Sequence, residues 1–77
     1  MDIQHLVSMA NQIGQFFEAE PDREQAIVDI ASHLKRFWDP RMRKAIVAHS
    51  DQGGAGLKDI VLIAIQSQRE LLQPAQT

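Results

Sequence analysis

Three histidines, His5, His33 and His49, are the side chains best suited to proton transfer or metal ligation near neutral pH. Their spacing argues against both. No pair stands four residues apart, as on a helical metal site, and no carboxylate joins two of them in a ligand pattern. A small hydrolase or lyase built on His33 or His49 would need a nucleophile with its base and orienting acid, and no such signature is present. Both border apolar faces, which predicts partly buried, hydrogen-bonded histidines. The chain has no cysteine, so disulfides, thiolate zinc sites and a self-contained iron–sulfur cluster are excluded. The run Gly53-Gly54-Ala55-Gly56 suggests a phosphate cradle but lacks the lysine and hydroxyl of a P-loop. No predicted strand precedes it, and it reads as a flexible connection. No catalytic, cofactor-binding or metal-ligating residue is assigned.

The residues that do stand out suit binding. Phe37-Trp38-Asp39-Pro40-Arg41-Met42-Arg43 holds the single tryptophan, a second aromatic, a helix start and two arginines. Trp and Arg are enriched at interface hot spots, where large buried area combines with directed hydrogen bonds. Trp38, Arg41 and Arg43 are therefore candidate partner anchors. The competing reading has both aromatics closing the core while the arginines stay solvated; for Phe37 we adopt it. A second line, His5, Met9, Gln12 and Phe16, lies at helical spacing beside the core stripe of its segment. Either it widens the core face or it meets a partner, a role methionine suits because it adapts its shape.

Four segments of helical periodicity must position these residues. The first runs over about 3–18, with Asp2 as N-cap and Ile3, Leu6, Val7, Ala10, Ile13 and Phe17 on one face. Gly14 lies on that face and predicts close approach of a neighbouring helix. The second spans about 23–37, capped by Asp22, with Ala26, Ile27, Ile30, Leu34 and Phe37 inward. The third, about 40–50, opens on Asp39-Pro40, where Pro suits the first helical position. Met42, Ala45, Ile46 and His49 share its face. The fourth covers about 57–72, and its apolar run Ile60 to Ile65 reads as helix because a lone strand would have nothing to pair with. The expected fold is all-α: a compact bundle of about four short helices in one domain, residues 1–77.

Composition sets further bounds. A domain of this length buries only about 60% of its unfolded surface and often relies on extra support. With disulfides gone, association remains, with another protein or with itself. The longest apolar run is far short of the roughly 20 residues of a membrane span, and no secretory signal is seen, which fits the cytoplasm. Net charge is −2, but Lys35, Arg36, Arg41, Arg43 and Lys44 crowd residues 35–44. Glu18, Glu20, Asp22 and Glu24 form an opposing acidic corner. The basic cluster supports an alternative, a small nucleic-acid-binding module. Against it, the cations straddle a helix boundary and the chain is net acidic.

The opening from Asp2 to Gly14, the block Ile30-Ala31-Ser32-His33-Leu34-Lys35-Arg36-Phe37-Trp38-Asp39-Pro40-Arg41-Met42-Arg43 and the later Gly53-Gly54-Ala55-Gly56-Leu57 resemble the delta subunit of NAD-dependent formate dehydrogenase. The resemblance covers nearly the whole chain. Lys58 departs from it, standing where a small capping residue is expected. The resemblance implies a soluble bacterial complex that oxidises formate and reduces NAD, with a molybdenum or tungsten pterin, iron–sulfur clusters and flavin in its larger subunits. It implies no redox centre here, but a role in assembly, stability or pterin-cofactor maturation through binding of the catalytic (alpha) subunit. Trp38→Ala is then expected to weaken retention by that subunit with helicity intact.

Overall fold

Three aspartates start the first three helices in a computed structural model that describes residues 2–74. Helix α1 (Ile3–Phe17) begins where Asp2, in extended conformation, accepts from the Gln4 N–H. Helix α2 (Arg23–Phe37) begins where Asp22 accepts from the N–H groups of Glu24 and Gln25. Helix α3 (Pro40–Asp51) follows Asp39, whose carboxylate accepts from the Met42 N–H at 3.0 Å, with Pro40 at the first turn. Each cap satisfies donors that the first turn cannot pair internally.

The end of α3 is equally specific. Gly53 N–H donates to Ser50 C=O and Gly54 N–H to His49 C=O, the paired bonds of a Schellman stop. Gly53 adopts φ 110°, a value that disfavours any side chain. The glycine-rich run is thus a bonded terminator rather than a slack connection. His49 Nε2 reinforces it by donating to the Ala55 carbonyl at 2.8 Å.

Helix α4 (Asp59–Ser67) starts two residues later than predicted. Lys58 occupies its N-cap and makes no side-chain cap bond. Asn11 of α1 ties down the loop that enters the helix: its Oδ1 accepts from the Lys58 N–H, and its Nδ2 donates to the Gly56 carbonyl, both at 2.9 Å. Lys58 Nζ meanwhile pairs with Glu18 at 3.1 Å.

The predicted fourth helix is two pieces. Gln68 leaves helical geometry (φ −112°, ψ 29°), and a single turn, α5 (Arg69–Leu72), follows at a new angle. The bend lets Leu72 reach the core and is held from α3. The Arg69 guanidinium grips the Asp51 carboxylate, Gln66 Nε2 donates to Asp51 and to Ser50 Oγ, and Arg43 Nη1 reaches the Leu72 carbonyl at 3.4 Å.

The described residues therefore form an all-α bundle without strands, its centre built by Leu6, Ala10, Ile30, Leu34, Ile46, Val61 and Ile65. The radius of gyration, 11.3 Å, matches the value of about 11.5 Å for a compact chain of this length. Gly14 lies against Val61 of α4, and a Cβ added there would collide with the valine methyl. The buried side of α3 is Arg43, Ile46, Val47 and Ser50, turned from the predicted Met42, Ala45, Ile46 and His49 because α5 packs on α3 as well.

Candidate functional site

At one end of the bundle α1, α2 and the start of α3 fail to close on each other. They leave an open groove of about 610 Å³ lined by Met9, Gln12, Ile13, Phe16, Phe17, His33, Phe37, Trp38 and Met42. Periodicity builds it. Met9, Gln12 and Phe16 run down α1 beside the core stripe, and His33 and Phe37 do the same on α2 at i, i+4.

Rings connect the two walls. Phe16 and Phe17 meet edge-on at 5.0 Å between centroids, Phe17 and His33 at 6.1 Å, and His33 and Phe37 at 4.7 Å. Such arrangements hold aromatic side chains in fixed orientations. Yet Phe16 is 75% and Phe37 66% exposed, the two most exposed large apolar side chains among the described residues.

Phe37 and Trp38 exchange the expected places. The spacing from Ile30 through Leu34 puts Phe37 on the core side, but the helix ends there. Trp38, the C-cap, is extended (φ −92°, ψ 137°) and swings its ring inward, where it is 5% exposed. Trp38 thus backs the groove from the core side, and Phe37 is the aromatic offered to solvent.

The remaining predicted positions divide. Met9, Gln12 and Phe16 line the groove. His5 is exposed on α1, one turn before Met9, and is not part of the lining. Arg41 is exposed beside the lining residue Met42. Arg43 is 8% exposed and clips α5 through the Leu72 carbonyl, its Nε buried without a hydrogen-bond partner among the described residues. Ile13, Phe17, His33, Phe37 and Met42 complete the site without having been singled out for it. The i, i+4 pair His33 and Phe37 was the available signal.

The groove's rim is basic at Arg36, which meets Phe37, and at Arg41, which precedes Met42. The Arg36 guanidinium carbon lies 5.6 Å from the centre of the Phe37 ring, within cation–π range. Lys35, Arg36, Arg41 and Lys44 are all exposed. The ion pairs among the described residues are Lys58–Glu18 and Arg69–Asp51, so none of these four cations has a carboxylate partner there. Asp39, the acid in their midst, is engaged in capping.

The three histidines stay apart. His5 is solvated, His33 belongs to the ring ladder, and His49 serves the loop after α3. No group of three His, Cys, Asp or Glu side chains is placed to hold a metal ion among the described residues. The one strongly shifted carboxylate is structural. Hydrogen bonds from Arg69, then Gln66, lower Asp51 from 3.8 to about 2.

A family model described as the NADH-dependent formate dehydrogenase delta subunit matches residues 5–65. No curated protein and no solved structure matches the chain. The matched span includes both walls of the groove and the basic rim.

Proposed function

Because the chain belongs to the NADH-dependent formate dehydrogenase delta subunit family, we propose that it is a non-catalytic accessory subunit that docks on the catalytic subunit of that complex. Its docking site is the groove between α1 and α2, and its role is to assist assembly, stability or pterin-cofactor maturation of the larger subunit.

One observation carries this reading: Phe16 and Phe37 stand in solvent on opposite walls of a ring-lined groove. Burying a large apolar side chain stabilises by about 1.5–3 kcal/mol. A chain this small forgoes that gain twice, which makes sense if another polypeptide recovers it. Met9 and Met42 supply adaptable side chains around the two rings.

The chemistry of the complex then belongs to other subunits. A chain without cysteine offers no thiolate to an iron–sulfur cluster. Among the described residues no helix is long and apolar enough to cross a membrane. The nucleic-acid alternative gains no support. Arg43 is buried away from the basic cluster, and the other four cations are divided between α2 and α3 instead of lining one helix.

The test is co-expression with the catalytic subunit. Phe16→Ser and Phe37→Ser are each expected to weaken co-purification by about 2 kcal/mol, roughly thirtyfold, as hot-spot residues do. Circular dichroism of the isolated variants should match the unaltered chain. Full retention of the double variant would remove the groove from the interface.

A further inference from the structure

Granting that the groove docks the catalytic subunit, we infer that what fills it is an amphipathic α-helix of that subunit with bulky apolar residues on one side and carboxylates flanking them. Three observations select this occupant. The first is the shape of the site. Its walls are helices α1 and α2, and no strand exists among the described residues to offer an edge for strand addition. A groove walled by two helices suits a helix laid into it, read out by anchors at i, i+3 or i+4, and i+7. Met9 and Phe16 are seven residues apart on one face, a rise of about 10 Å, which matches two turns of such a helix.

The second is chemistry. Met9, Phe16, Phe37 and Met42 present carbon and sulfur, and Gln12 and His33 are the polar side chains in the lining. Small-molecule pockets need several convergent polar groups to fix orientation. Two suit an apolar helix better than a polar metabolite.

The third is charge. Arg36, whose guanidinium lies against the Phe37 ring, and Arg41, next to the lining residue Met42, are exposed at the groove, with no ion-pair partner among the described residues and with Asp39 occupied at the α3 cap. Carboxylates on the incoming helix would pair there. A basic helix would be repelled, and a purely apolar one would leave the cations near a dry interface without counter-charge. Electrostatics then fixes the direction in which the helix lies, and the rings supply the affinity.

Two measurements on the co-expressed complex test the inference. In the first, Arg36→Glu combined with Arg41→Glu should lower retention of the large subunit about tenfold or more, with Arg36→Lys close to the unaltered chain. Retention of the unaltered chain should fall as salt rises, and the reversed variant should lose that dependence. In the second, a benzophenone amino acid at position 16 is photo-cross-linked and the attached peptide identified. An acidic amphipathic helical segment of the catalytic subunit is the expected product. A basic or non-helical segment, a second copy of this chain, or no cross-link in a complex that still forms would overturn the inference. So would retention indifferent to charge reversal. If the unaltered chain retains no large subunit at any salt, the docking function itself fails, which is a separate result.

Discussion

Trp38 shows why residue type alone misleads about role. It is the obvious hot-spot candidate by composition, yet the extended backbone at the end of α2 commits its ring to the core. Trp38→Ala is therefore expected to destabilise the fold by about 3–5 kcal/mol in urea titration, whereas Phe37→Ser should change stability by less than about 1 kcal/mol. Loss of partner binding by Trp38→Ala would report unfolding, so the aromatic to test at the interface is Phe37. Asn11 is the opposite case, a polar side chain that no sequence pattern marks. It both donates to Gly56 and accepts from Lys58, some 45 residues along the chain, and the two bonds fix the loop that leads into α4. Asn11→Ala should cost about 0.5–1.5 kcal/mol, measured by chemical denaturation, because two loop groups within reach of water lose their partner. Its role was hidden because nothing in local spacing links residue 11 to residues 56 and 58.

At the scale of elements, the helices followed from capping and period, while their meeting points followed from packing. The aspartate caps and Pro40 were legible because they act within four residues of themselves. Gly14 was legible as a point of close approach, though not that Val61 would be the neighbour. Gly14→Val should prevent α1 and α4 from seating, and thermal unfolding should show a loss of several kcal/mol against about 1 kcal/mol for helix propensity alone. The break at Gln68 was not legible, because residues 66–72 all favour helix and the bend is imposed from α3. Asp51 supplies one of those holds, and its acid dependence can be read. Its carboxyl titrates at about 2 in the folded chain against an ordinary 3.8. The ionised form is thus favoured by folding, and the contribution is complete above the ordinary value and fades as pH falls toward about 2. Asp51→Asn should therefore narrow its stability gap from the unaltered chain across that window. An unchanged gap in acid denaturation curves would show that the Arg69 fork adds nothing.

For the whole molecule, charge and apolar surface are segregated. Glu18, Glu20, Asp22 and Glu24 gather before and at the start of α2, and the four exposed cations gather around its end, about 20 Å away along a 15-residue helix. The groove touches both: Phe17 of its lining directly precedes Glu18, and Phe37 of its lining meets Arg36. Hydrogen exchange on the isolated and complexed chain should therefore show protection gained over residues 9–17 and 33–42, with the α4 core unchanged. Protection spread evenly over all helices would instead indicate general stabilisation by mass action, without a defined contact face.

Local chemistry in the sequence determined the helix class, the aspartate caps of the first three helices, the separation of the histidines and the family. Each of these depends on neighbours within a turn or on motifs that read in order. Tertiary structure alone decided which of two adjacent aromatics entered the core, where Arg43 would be spent, how Asn11 would tie down the loop before α4 and where the last helix would bend. Those outcomes turn on contacts between residues far apart in the chain, where burial and hydrogen bonding outweigh the weak preferences of any single segment.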